Sequence, residues 1–254
     1  MTAHFQQCQS GGMTFEQHAR SFGAAAAAYE RGRPSYPAAV AAWLAPEPTR
    51  LAVDVGAGTG KFTRTLLPAA TEVTAIEPDP EMRAQLSTAL PDVRVLDGTG
   101  ESLPLPDASA DLVTFAQSWH WVDPEDGARE VARVLQPGGV LGLVWNIRDE
   151  ADPWAAELGE LIKRPESRIM SYDRPMIGAP FDVEQHETFP WVHEQSRADF
   201  LDMIASRSYV IVMAPDDRAA LLRDVDDLLD RAPSTSGATV RVPYVTHAHR
   251  FTRP

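Results

Sequence analysis

A chain of 254 residues with 44% hydrophobic and 23% charged residues has enough apolar material for one sizeable core with an insertion, and it is too short for two full independent domains. A formal net charge of -13 repels phosphate backbones, which argues against a general nucleic-acid partner. The single cysteine, Cys8, excludes an internal disulfide and a cysteine-clustered zinc site.

The first residues, MTAHFQQCQSGG, lack the basic-then-apolar pattern of a secretory signal, and no apolar run reaches membrane-spanning length, so a cytoplasmic protein with no membrane partner is expected. Residues 1–12 read as a disordered tail, with Met13 opening an orderly helical pattern. Residues 13–46 read as a helical lid: an alanine-rich helix over 15–29, a break at GRPSYP, and a short helix opening at Pro37.

Residues 47–146 read as the core. Apolar runs at 51–55, 72–76, 92–96, 111–116 and 140–145 are strands, and the helices between them make the β/α alternation of a doubly wound, mostly parallel sheet. Residues 147–185, rich in Pro, Met and Arg, read as a cap insertion. Residues 186–254 complete the sheet with a strand near 187–194, helices around 197–206 and 216–231, and a last strand near 239–247. The acidic run from Asp216 to Asp230 reads as a solvated helix face.

The strongest local signal is LAVDVGAGTGKF, residues 51–62. Gly56, Gly58 and Gly60 alternate with Ala57 and Thr59 where a strand hands over to a helix, and such glycines let a ligand approach the backbone. The pattern is G-x-G-x-G, and Asp54 precedes it by two positions. A pyrophosphate at that turn would be opposed by the carboxylate, whereas a cationic group would be welcomed. S-adenosylmethionine answers this description, because it has no phosphate and its ammonium can pair with Asp54. Glu77 ends the second strand where a ribose-binding carboxylate belongs. A second reading makes Glu77 a solvated residue opening the next helix, because Glu77-Pro78-Asp79 resembles a helix start.

The blocks VDVGAGTGKF, AIEPDPEM, DGTGESLPLPDASADLV and REVARVLQPGGVLGLVWN occur in the order and spacing of a known family. The chain resembles the class I S-adenosylmethionine-dependent methyltransferases (type 11), particularly the small-molecule branch that includes ubiquinone/menaquinone-biosynthesis and trans-aconitate methyltransferases. The resemblance implies a Rossmann-like seven-stranded sheet with an antiparallel C-terminal strand. It also implies methyl transfer to a small-molecule acceptor, a carboxylate or hydroxyl, with S-adenosylhomocysteine as product. In the family the acidic residue after the second strand binds ribose, which falls on Glu77 beside Pro78. The stretch that cradles adenine falls on Gly98, Thr99, Gly100 and Glu101, with Thr99 departing from the usual aspartate. Met82 is placed to pack on adenine or to fill core.

Open sheets of this kind bind ligands beyond the carboxyl ends of their strands, so within AQSWHWVD the residues Gln117 to Trp121 are expected to face the transferring methyl group. Gln117 is a cofactor contact, Trp119 and Trp121 are pocket walls, and His120 is a candidate base, its alternative being a histidine held between packed tryptophans. YERGRPSYP resembles the family's lid segment, with Tyr29, Arg33 and Tyr36 closing over the site and Arg33 suited to the methionine carboxylate. A packed linker is the alternative. Arg164, Arg168, Tyr172, Arg174 and Met176 form a second candidate lid, for an anionic acceptor, and scattered surface arginines are the plainer reading. His247 and His249 alternate on the last strand without a third ligand in view, so no metal is expected. A nicotinamide-dependent oxidoreductase and a non-catalytic S-adenosylmethionine-binding module are the competing functions; monomer and homodimer both remain open.

Overall fold

A computed structural model describes residues 33–162, 172–181, 184–232, 235–236 and 238–254. Cys8, Met13, the helix expected over 15–29 with Tyr29, and Arg164 and Arg168 lie outside the described residues.

Described elements run α1 (Ala38–Leu44), β1 (Leu51–Val55), α2 (Lys61–Leu66), β2 (Glu72–Ile76), α3 (Pro80–Ala89), β3 (Arg94–Leu96) and β4 (Ala110–Ala116). A 3-10 turn (Trp119–Trp121), α4 (Pro124–Val134), β5 (Leu135–Arg148) and α5 (Pro153–Leu161) follow. The chain closes with β6 (Glu184–Ser196), α6 (Arg197–Ala205), α7 (Ser208–Ile211), α8 (Pro215–Arg231), β7 (Thr235–Ser236) and β8 (Thr239–Thr252). No helix among the described residues is long and apolar enough to cross a membrane.

The sheet order is β3-β2-β1-β4-β5-β8-β6, with the short β7 paired to β8. β1 through β5 are parallel, and β8 runs antiparallel to both β5 and β6, so, the short β7 aside, six strands point one way and β8 the other. This is the expected Rossmann-like mixed sheet. The order reverses direction at β1, flanked by β2 on one side and β4 on the other, and that reversal opens a crevice at the carboxyl ends of β1 and β4.

Three differences from the sequence reading have physical causes. The Pro137-Gly138-Gly139 turn lies within β5, because pairing steps from Ala110–Leu135 to Leu112–Val140 and residues 136–139 bulge out of the ladder. β6 is longer than the strand expected near 187–194 at both ends, because it pairs with β8 from Glu184 to Ser196. β8 runs five residues past its expected end because it is sandwiched along its length between β5 and β6.

Two apolar clusters cover the faces of the β1–β5 sheet, one around Phe115, Trp119 and Leu143 and the other around Leu44, Phe62 and Leu112. A third joins α5, α6 and α8 to β8 through Trp154, Phe200, Leu228 and Tyr244. The acidic face of α8 is partly engaged: Asp226 and Asp230 accept from Arg197 at 2.7 and 2.5 Å.

Candidate active site

β1 ends at Val55 and the chain turns through three left-handed glycines, Gly56 (φ +66°), Gly58 (φ +56°) and Gly60 (φ +89°). They do different work. A Cβ on Gly56 would stand 2.5 Å from the Ser118 Cβ, so this glycine serves close packing; the Ser118 hydroxyl donates to the Val55 carbonyl at 2.7 Å. A Cβ on Gly58 would meet only the Met82 sulfur, at 3.8 Å, so Gly58 leaves open space in the wall of the cavity that it lines.

Glu77 straps the loop in place. Its Oε2 accepts from the Gly58 N–H at 2.7 Å, and its Oε1 accepts from the Asp79 N–H at 2.9 Å. The helix-start signal belongs to Asp79, whose carboxylate caps α3 by accepting from Glu81 and Met82, with Pro80 in the first turn. Glu77 is therefore neither the cap nor solvated: it is buried, and burial raises its pKa while the two backbone N–H groups partly offset that rise.

Asp54 is fully buried at the end of β1, where its carboxylate accepts from the Thr63 hydroxyl at 2.6 Å and the Thr114 hydroxyl at 3.1 Å. Burial pushes its pKa up to about 7 against those two hydrogen bonds, and Glu77 adds a smaller repulsion.

Asp54 and the glycine loop line a cavity of about 290 Å³. Gln117 lines it from the end of β4, held at φ +58° by its N–H to the Val144 carbonyl and its Nε2 to the Asn146 carbonyl. A non-glycine residue persists in that conformation only when its surroundings fix it, and such strain concentrates at functional sites. Arg33 and Tyr36 close another side. Their segment is fastened by Asn146, whose Nδ2 donates to the Ser35 carbonyl while its Oδ1 accepts from Thr246, itself an acceptor for the Trp191 indole. Tyr36 also packs edge-on against Phe62 at 5.0 Å.

Other expected contacts are not brought to this cavity. Glu101 accepts from the Asp123 N–H, Thr99 pairs with Ser102, and a Cβ on Gly98 or Gly100 would collide with Pro104 or Val122. Trp119 belongs to the core: it is buried, lies edge-on to Phe115 at 4.8 Å and donates its indole N–H to the Met176 carbonyl. Replacing Trp119 with alanine is expected to destabilise the fold by about 3–5 kcal/mol, while the folded protein keeps its ligand affinity. Denaturant unfolding and calorimetry check the two halves of that statement. Trp121 is exposed, and His120 packs beside it at 4.9 Å, off the cavity wall. The His120 Nδ1 is buried without a partner, and burial pulls its pKa down to about 4, so it is a weak base.

The cavity also takes Lys61, Arg148, Met203, Arg207 and Tyr244, none of which the sequence reading chose. Lys61 was findable, since it follows the loop directly; the others come from distant elements and carry no local signature. His247 and His249 do share a face of β8, where the His186 ring stacks on both. Among the described residues no group of three or more His, Cys, Asp or Glu is arranged to hold a metal ion.

This arrangement has relatives. Residues 53–143 match the Methyltransferase domain family. An uncharacterized methyltransferase of Mycobacterium tuberculosis is 45% identical over 233 residues, covering 91% of this chain and 95% of its own. An uncharacterized methyltransferase-like protein of Schizosaccharomyces pombe is 29% identical over 240 residues, covering 90% and 94%. A solved chain provisionally described as a type II methyltransferase from Anaeromyxobacter dehalogenans superposes with a TM-score of 0.70 at 26% identity, covering 87% and 98%. The chain belongs to the class I S-adenosylmethionine-dependent methyltransferases.

Proposed function

We propose that this protein transfers a methyl group from S-adenosylmethionine to a carboxylate or hydroxyl of a small-molecule acceptor in the crevice between β1 and β4. The observation that carries the reading is the open wall at Gly58 beside two buried carboxylates, Asp54 and Glu77. Glu77 suits the ribose of any nucleoside, and Asp54 discriminates: an acid just before the glycines suits a cationic group and opposes a pyrophosphate at that turn.

The residues present fit this group. Asp54 takes the ammonium, Arg33 the methionine carboxylate, and the loop from Gly56 to Gly60 the backbone-facing side. Glu77 takes the ribose hydroxyls: an ionised carboxylate has about four lone-pair sites, and Gly58 and Asp79 use two. Met82, behind Gly58, supplies an apolar surface.

When bound, the cofactor supplies an electrophilic methyl, which the acceptor's lone pair takes while the carbon–sulfur pair returns to sulfur, leaving S-adenosylhomocysteine. The protein's contribution is alignment and exclusion of water. Gln117, fixed in its strained conformation, and the strapped segment bearing Arg33 and Tyr36 hold the two reactants in one cavity. A carboxylate acceptor needs no base. A hydroxyl acceptor must lose a proton, and His120, off the cavity wall, is given no part in that.

Calorimetry with S-adenosylhomocysteine and with NAD, separately, tests the reading. The first is expected to bind and the second not, and Glu77→Ala is expected to weaken the first by about tenfold or more as ribose hydroxyls lose their acceptor. Binding of NAD alone overturns the proposal.

A further inference from the structure

The cavity holds charge that the proposed cofactor contacts do not use. In a chain of formal net charge -13, the cavity walls gather Arg33, Lys61, Arg148 and Arg207 against only Asp54 and Glu150. Arg33 and Lys61 flank the loop end, whereas Arg148 closes β5 and Arg207 follows α6.

The Arg148 Nε is buried and has no hydrogen-bond partner. A guanidinium carries five donors, no acceptor and a permanent charge, so Arg148 offers an anionic ligand a charged donor group in the cavity that it lines, while its buried Nε lies out of a ligand's reach. Arg148 pairs in register with Tyr244 across β5 and β8, and the Tyr244 ring lines the same cavity, stacked at 5.6 Å on Trp191. Met203, on α6, adds a further apolar wall.

We infer that Arg148, with Arg207 on the same cavity, anchors a carboxylate of the methyl acceptor, while Tyr244 and Met203 hold its apolar body. The acceptor is thus a small carboxylic acid. A flat guanidinium fork matches the two oxygens of a carboxylate. The exposed Glu150, which also lines the cavity, disfavours a dianion such as a phosphate monoester. This inference rests on the reading that the loop end holds S-adenosylmethionine.

The test uses the full chain and the variants Arg148→Gln and Arg148→Lys. Calorimetry with S-adenosylhomocysteine comes first, and absence of binding to the wild type overturns the cofactor reading itself. Release of S-adenosylhomocysteine is then followed with short aliphatic and aromatic carboxylic acids, their primary amides and their phosphonate analogues. Acids are expected to turn over and amides not. Arg148→Gln is expected to raise KM for an acid by about 10- to 100-fold, the loss of a charge-assisted bidentate pair, with kcat within about threefold. Cofactor affinity should hold, which also shows that the variant folds, and Arg148→Lys should recover part of the loss. The inference is overturned if amides or phosphonates are used as well as acids, if a cofactor-binding protein turns over no acid, or if Arg148→Gln leaves KM unmoved. It is also overturned if Arg148→Gln weakens cofactor and acid equally.

Discussion

Replacing Gly58 with valine is expected to lower S-adenosylhomocysteine affinity by at least about 100-fold while leaving a folded protein. Two effects combine. The backbone at φ +56° costs any L-residue about 1–2 kcal/mol, and a β-branched side chain more. The valine methyl groups also project into the one part of the loop where the protein places nothing closer than the Met82 sulfur at 3.8 Å. The core survives because no backbone or packed side chain is displaced. Gly56→Ala supplies the contrast: its Cβ would stand 2.5 Å from the Ser118 Cβ, so this smaller change is expected to lower the melting temperature. Calorimetry beside thermal unfolding separates the two glycines. If Gly58→Val binds the ligand as the wild type does, the loop is not a cofactor cradle.

The parts of the site that are local in sequence are the parts that could be read in advance. Asp54, the three glycines and Glu77 lie within two consecutive β/α units, and strand alternation plus turn chemistry places them at the carboxyl ends of β1 and β2. Gln117 was legible for the same reason, being the first residue beyond β4. Two positions further on, the chain enters a 3-10 turn, which sends the Trp119 ring into the core against Phe115. Residues 117–121 therefore do not face the site as one stretch. The acceptor side was least legible. Arg148, Met203, Arg207 and Tyr244 are contributed by β5, α6, the turn after α6, and β8, and only the pairing of β8 with β5 brings Tyr244 to Arg148. No periodicity or motif encodes such a meeting. The strap from Asn146 to the Ser35 carbonyl, 111 residues apart, is of the same kind.

Cofactor affinity is expected to rise with pH by up to about tenfold per unit below pH 7 and to level off above it, with Asp54 as the cause. Its pKa is raised in the fold, from 3.8 to about 7, mainly by burial. For such a group the contribution to stability is present below the unfolded pKa and is lost as pH rises through the folded one. The ligand-free protein therefore loses stability from this residue between about pH 4 and 7, where the unfolded carboxyl ionises and the buried one resists. An ammonium beside Asp54 reverses the balance, because an opposite charge favours the carboxylate, and binding below about pH 7 must then release a proton. Calorimetry at about pH 6.5 in two buffers of different ionisation enthalpy counts that proton. Glu77 is also raised and feels the same ligand, so Asp54→Asn is the discriminating variant. It should flatten the profile and lower affinity on the alkaline plateau, where the wild-type carboxylate is charged. A wild-type affinity that stays flat from about pH 5.5 to 8 would remove Asp54 from the ammonium site, leaving it as a buried acid held by Thr63 and Thr114 for the architecture of the β1 terminus alone.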